Sequence, residues 1–357
     1  MIKLLHAADL HLDSPLVGHS EAQRDFLRKA LLEVPGKIAR LCKENQCDLL
    51  LLSGDLFDGQ YTKESFNVLR AALEEAGVPT FISPGNHDFC SPDSPWLAEV
   101  WPKNVHIFTK AIPESVSLPE LDCRVYGAGF QRMDCSGLLE NLRAEGAERY
   151  HIGVFHGDPT QISSPYNPIT AGQIRDSGLD YLALGHIHKG DLFRAGSTLC
   201  AWPGCPMGRG YDETGAKGVL LVAIEETASA QFLPLDVPQF FDLETEAGNN
   251  PLAAATQLLP PMSNKNFYRI TFTGYSSGMD VDQLSAAFTR FPNLILRDRT
   301  IPETDLWGAV EDDTLEGIYF RKLRDAMNGQ DEATQRKIRL AAQISRQLLD
   351  GQEVKLP

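Results

Sequence analysis

The sequence predicts an α/β protein, and three observations predict it: six short apolar runs recur along the first half, helical stretches lie between them, and polar or small residues close nearly every run. The runs are "IKLLHAAD", "CDLLLLSGD", "VPTFISPGNHD", "CRVYGAG", "RYHIGVFHGD" and "DYLALGH". Each reads as a strand, and the last as a buried one.

The elements between them follow from periodicity and punctuation. A helical stretch begins after Gln23 and contains Pro35-Gly36, where a proline removes an amide donor, so a kink or break is expected there. Residues 63–76 read as a helix, with Phe66, Leu69, Leu73 and Ala76 on one stripe and Gly77 closing the end. After residue 216, "KGVLLVAIEE" and "AQFLPLDV" suggest a hairpin that could complete the first domain. From about Pro238 the chain turns acidic. "NFYRITFTG" as a strand and 280–291 as a helix then suggest a small α+β second domain. In the tail, over 331–350, Ile338, Ala341, Ala342, Ser345, Leu348 and Leu349 fall on one side, while Arg336, Lys337, Arg339 and Arg346 add positive charge. Two readings stand for it, a helix packing on its own domain and a helix docking a partner. The 357 residues exceed one ordinary core, and the expected boundaries are 1–237, 238–328 and 329–357.

Composition excludes several classes. Hydrophobic residues at 43% and charged residues at 23% fit a soluble globular protein. With 33 basic against 48 acidic residues the formal net charge is −15, which argues against coating nucleic acid by overall charge but leaves local contact in one cleft open. Seven cysteines without a C-x-x-C pair read as reduced thiols. No apolar segment approaches the ~20 residues of a membrane span, and "MIKLLHAADLHLD" lacks a signal-peptide core. The expectation is a cytoplasmic protein with no membrane contact.

The chemistry gathers at the strand ends. Asp9 and His11 follow the first run, Asp55 the second, Asn86 and His87 the third, His156 a later one, and His186 with His188 the last. Open α/β sheets place ligands at the carboxyl ends of their strands. Carboxylates, imidazoles and one amide, without thiolate, suit ions such as Mn²⁺ or Fe²⁺ better than a structural zinc site. Seven ligands are too many for one ion. Two ions about 3.5–4 Å apart, sharing one carboxylate, would use them and clamp a phosphoryl group.

The ordered series D-x-H at 9–11, G-D-x-x-D at 54–58, G-N-H-D at 85–88, H-G at 156–157 and G-H-x-H at 185–188 resembles the calcineurin-like metallophosphoesterase superfamily. Within it, "AADLHLDSP" and "YLALGHIHKG" resemble SbcD-related DNA-repair exonuclease subunits. "WPGCPMGRGYDETGAKGVLLV" is most similar to the YhaO-like branch, as is Asp13, which stands where SbcD-type chains usually have Gly.

The resemblance implies a metallophosphoesterase four-layer sandwich, two mixed β-sheets flanked by helices, with a small α+β cap domain and a helical tail. It implies that Asp9, His11 and His188 hold one divalent ion, that Asn86, His156 and His186 hold the other, and that Asp55 bridges them. Mn²⁺ is the first expectation, with Fe²⁺, Zn²⁺ or Mg²⁺ as alternatives. His87 would face the leaving oxygen as general acid, and Asp58, as in phosphoprotein phosphatases, would pair with it. Arg209 and Tyr211 would face substrate. Asp88 and Asp158 read as partners to ligand histidines or as turn residues. The segment Tyr166-Asn167-Pro168 reads as a plain turn or a border of the cleft. His6, His19, His106 and His151 read as structural or solvated.

The implied function is metal-dependent DNA exonuclease action in repair, with DNA as substrate and an SbcC-like SMC-type ATPase and a second copy as candidate partners. Two rivals stand beside it: a small-molecule or cyclic-nucleotide phosphodiesterase of the same fold, and a non-catalytic subunit that binds DNA ends.

Overall fold

The computed structural model describes residues 1–248, 250–276, 279–302, 306–351 and 354. Of the expected tail, 352, 353 and 355–357 lie outside the described residues. In chain order the first part runs β1 (Ile2–Ala7), α1 (Glu21–Glu44), β2 (Leu49–Leu52), α2 (Lys63–Ala76), β3 (Thr80–Ile82), α3 (Pro95–Ala98), β4 (Val105–Ile107), β5 (Glu114–Leu118), β6 (Cys123–Gly127) and β7 (Tyr150–His156). It continues with α4 (Ala171–Ser177), β8 (Tyr181–Gly185), β9 (Lys189–Ala195), β10 (Thr198–Gly204), β11 (Gly218–Ile224) and β12 (Ala228–Pro234).

These strands make two mixed six-stranded sheets, ordered β12-β11-β1-β2-β3-β4 and β5-β6-β7-β8-β10-β9. Alternation within each strand explains the layers. Val154, Tyr181 and Ala183 point into a core shared with Leu4, Leu49, Leu51 and Val222 of the other sheet. Their neighbours Phe155, Leu182 and Leu184 point the other way, toward Ile174 of α4. Both faces are therefore buried, which is why these strands are apolar at successive positions. Each fully buried Leu or Phe side chain contributes roughly 1.5–3 kcal/mol.

The helix over 63–76 is as expected. Thr62 caps its start, accepting from Ser65 N, and Gly77 closes it at φ +71°. Asp13, itself at φ +67° in the region glycine enters freely, accepts from Thr62 N at 2.9 Å, Thr62 Oγ1 at 3.0 Å and Ser65 Oγ. The predicted hairpin forms with Gly218 opposite Pro234, and β11 joins the first sheet antiparallel to β1.

Two expectations need correction. Pro35 does not break its helix: α1 runs unbroken through it, with Val34, Pro35, Ile38 and Ala39 buried, so burial of this face outweighs the lost amide–carbonyl bond. The helix expected over 280–291 covers only Val281–Ala287, because Phe288 and Phe291 leave helical geometry to enter the core of the second unit.

Two compact units divide the chain, Met1–Phe240 and Phe241–Pro357. The second contains β13 (Phe240–Glu246) apart from its first residue, then α5 (Pro251–Leu258), β14 (Phe267–Thr273), β15 (Tyr275–Ser276), α6 (Val281–Ala287), β16 (Leu294–Asp298), β17 (Ile301–Pro302), α7 (Leu315–Ala326) and α8 (Glu332–Leu349). Strand order β13-β14-β16 leaves Tyr268, Ile270 and Phe272 packed on one face. The tail helix α8 packs on α7. Ala342 is buried, Arg346 pairs with Glu316 and lies over the Phe320 ring, and Leu348 and Leu349 stay exposed. Among the described residues no helix is long and apolar enough to cross a membrane.

His6 is wholly buried in β1, its ring nitrogens 2.8 Å from Tyr181 Oη and 2.7 Å from Ser53 Oγ. Burial lowers its pKa from 6.5 to about 3, so the folded chain keeps the ring neutral. The unfolded chain takes up a proton below its ordinary pKa. Stability is therefore fully present above pH 6.5 and is lost as pH falls from there toward 3, at about 1.4 kcal/mol per pH unit. The urea midpoint of the native chain should fall more steeply between pH 6.5 and about 5 than that of His6→Gln. Equal slopes would assign the acid lability elsewhere.

Candidate active site

Parallel register brings the expected residues together. Ala7 pairs with Leu52, and Leu52 with Ile82, so β1, β2 and β3 end level. His156 pairs with Gly185, which levels β7 and β8 in the other sheet. The loops beyond these strand ends then zip together: Asp9 N donates to Gly54 O at 3.0 Å and His11 N to Asp55 O at 2.9 Å. Gly185 sits where a Cβ would lie 2.0 Å from the Ser53 carbonyl oxygen, so any side chain there would force the two sheets' strand ends apart.

Asp9, His11, Asp55 and His186 all hold left-handed backbone, at φ +54°, +47°, +52° and +107°. Such geometry costs on the order of 1–3 kcal/mol per residue and persists where the surroundings over-determine it, typically at functional sites.

Among the described residues four groups of metal-capable side chains converge, and two of them hold the expected ligands. Asp9, His11 and His188 form one, with the two Nε2 atoms 3.1 Å apart. Asp55, His156 and His186 form the other, and Asn86 Oδ1 lies 2.9 Å from His156 Nε2 and 3.2 Å from His186 Nδ1. Asp55 Oδ2 lies between them, 3.4 Å from His156 Nε2 and 3.9 Å from His11 Nε2. His87 stands outside both. Its backbone N donates to Asp55 Oδ1 at 2.8 Å, and its Nδ1 meets Asp58 Oδ1 at 2.8 Å with the ring 39% exposed.

The donor set fits divalent cations. His156 Nδ1 donates to the Ser53 carbonyl at 2.9 Å, and His188 Nδ1 to Glu213 Oε1 at 2.7 Å. Both rings therefore turn Nε2 into the cluster, where a proton or a cation satisfies the groups that face it. Buried His11 Nδ1 has no hydrogen-bond partner among the described residues.

Electrostatics point the same way. Burial lowers the His156 pKa, but the Asp55 and Asp9 carboxylates raise it more, to about 9: the cluster draws positive charge. Burial and the charge of His156 push His186 down to about 4. Asp58 is held well below the usual carboxylate range by His11 and His87, and its hydrogen bond raises His87.

The remaining expectations divide. Among the described residues Asp88 bonds no candidate ligand histidine. It accepts from Gly85 N at 2.7 Å, Leu56 N at 2.6 Å and Phe57 N at 3.3 Å, bracing two site loops against each other, and burial raises its pKa to about 7. Asp158 closes its own turn through Thr160 and Gln161. Tyr166 borders the cleft, its ring 5.0 Å from that of His186. Asn167, read as a turn residue or cleft border, props the end of β7 by donating from Nδ2 to His156 O at 2.8 Å. Arg209 joins Glu213 and Asp58, while Tyr211 packs edge-on against Phe240. Glu213 was visible in the sequence only as one letter of the branch pattern; its contact with His188 spans 25 positions.

The match to the family of calcineurin-like phosphoesterases covers residues 2–190, more than half the chain. This chain belongs to the calcineurin-like phosphoesterase family. Among curated relatives of this phosphoesterase, the uncharacterized metallophosphoesterase YhaO of Bacillus subtilis is 34% identical over 244 residues, covering 62% of this chain and 57% of the relative. The SbcD component of the nuclease SbcCD from the same organism is 23% identical over 271 residues, 62% of this chain and 66% of the relative. The DNA double-strand break repair protein Mre11 of Aeropyrum pernix is 32% identical over 93 residues, 25% of this chain and 21% of the relative. The matched regions thus span less than two thirds of each relative's length.

Proposed function

We propose that this phosphoesterase is a metal-dependent DNA phosphodiesterase with exonuclease action in repair. Asp9, His11 and His188 would hold one cation and Asn86, His156 and His186 the other, with Asp55 shared. The observation that carries the reading is the Asp55 carboxylate lying between two donor groups, with a carboxylate-bound imidazole just outside them. When bound, two divalent cations, Mn²⁺ first, supply Lewis acidity that activates water and stabilises charge on the phosphate.

The chain's own residues do the rest. Asp58 takes the Nδ1 proton of His87 as a hydrogen bond and favours the charged ring, which leaves the Nε2 proton for the departing oxygen. Half-exposure gives this ring access to a substrate that the buried ligands reach only through the cations. The choice of DNA rests on similarity to a nuclease component and a double-strand break repair protein.

End-labelled duplex DNA, an aryl phosphodiester and cyclic nucleotides, each incubated with Mn²⁺, Mg²⁺ or chelator, test it. Shortening of DNA with Mn²⁺ and none with chelator is expected. Cleavage of the small esters alone replaces DNA with a small-molecule substrate, and DNA binding without cleavage of any ester removes the enzyme reading. An SMC-type ATPase belongs to the same proposal as partner and is tested by co-purification; its absence there leaves a nuclease that works alone.

A further inference from the structure

Residues 202–218, "WPGCPMGRGYDETGAKG", wrap the chain at His188. The His188 carbonyl accepts from Cys205 N at 3.3 Å and from the Lys217 ammonium at 3.4 Å. Gly204, at φ +77°, passes so close that a Cβ would lie 2.6 Å from that same oxygen. On the ring side, His188 Nδ1 donates to Glu213, which is only 6% exposed.

Both Glu213 oxygens are saturated. Oε1 takes His188 Nδ1 and Arg209 Nη2 at 2.6 Å, and Oε2 takes Arg209 N at 2.8 Å and Nε at 3.3 Å. Arg209 Nη1 then reaches Asp58 Oδ2 at 3.5 Å, and the other Asp58 oxygen holds His87. The Arg209 side chain, 16% exposed, thus turns its fork onto two carboxylates of its own chain.

We propose that Glu213 and Arg209 are positioning residues that join the two sides of the centre. Glu213 sets the tautomer and angle of His188, and Arg209 ties that pair to Asp58 and His87, so the metal-facing and proton-bearing imidazoles share one ion-paired frame. A carboxylate on the far nitrogen of a metal-facing histidine orients the ring and raises its basicity. Arginine suits the second task because its planar fork spans two acceptors, which a lysine ammonium does not reproduce. This rests on the metal-dependent phosphodiesterase reading and replaces the expectation that Arg209 faces substrate.

The full-length chain and its Glu213→Gln and Arg209→Lys variants are titrated with Mn²⁺ by calorimetry, melted, and assayed on bis(4-nitrophenyl) phosphate. Glu213→Gln should still take two ions, one of them about 10- to 100-fold more weakly, with excess Mn²⁺ restoring much of the turnover. Arg209→Lys should lower kcat and leave KM unchanged. Wild-type affinities in Glu213→Gln, or an Arg209→Lys protein that raises KM and keeps kcat, would overturn the assignment. If Glu213→Gln fails to fold, the Arg209→Lys split decides. A native chain that binds two Mn²⁺ ions but cleaves no phosphodiester overturns the proposed function alone, and the Glu213→Gln affinities still decide this inference.

Discussion

His87→Gln should lower turnover by about 10²- to 10⁴-fold, the usual worth of one positioned acid, while the chain continues to bind two divalent cations. The reason is geometric. His87 lies outside both donor groups, touching Asp55 through its backbone N and Asp58 through its ring. Replacing the ring leaves the backbone contact and every candidate ligand in place. Asn86→Ala should behave differently, because Asn86 Oδ1 faces both His156 and His186. It should weaken one ion, and excess Mn²⁺ should partly restore its rate but not that of His87→Gln. Asp58→Asn should resemble His87→Gln in milder form, since the ring keeps its place but loses its charged partner. Metal content and rate, measured on the same samples, decide it. A His87→Gln protein that loses an ion, or one that turns over normally, would remove the acid role.

Asp55→Asn should be more damaging still, losing both ions together and with them more than the ~10⁴-fold upper range of the acid. Asparagine tolerates the left-handed backbone that Asp55 adopts at φ +52°. Its Oδ1 can still accept from His87 N, so the fold should persist. The change falls on Oδ2, the atom between His156 and His11. An amide NH₂ there would bring hydrogens and no charge to the point where the proposed cations would meet the imidazole nitrogens. Asp9→Asn, whose side chain belongs to one donor group and can still accept from His186 N of the other through Oδ1, should lose one ion. Elemental analysis of the purified variants reads the difference, and an Asp55→Asn protein that retains both ions would disprove the shared role.

Much of this was legible in the sequence, for a physical reason that differs from element to element. The helix Lys63–Ala76 and its glycine cap rest on local periodicity and local hydrogen bonds, so neighbouring residues specify them. The β11–β12 hairpin is likewise local. Asp9, Asp55, Asn86 and His186 could be singled out because each comes just after an apolar run, and parallel strands that end level must gather the residues at their carboxyl ends.

Tertiary structure alone decided the supports. Asp88 bonds backbone amides three and about thirty positions away, Asn167 props His156 across a loop, and Glu213 reaches His188 from the far side of β10. A carboxylate or an amide reads the same in sequence whether it closes a turn or braces a distant loop; which it does depends on strand register and on which buried donor lacks a partner. Pro35 makes the same point in reverse. Its local rule predicts a kink or a break, and the break does not occur, because the face around Pro35 is buried in the core. Local chemistry named the candidate ligands and most of the elements, and long-range packing chose the residues that hold them in place, because only the folded chain brings those donors and acceptors within bonding distance.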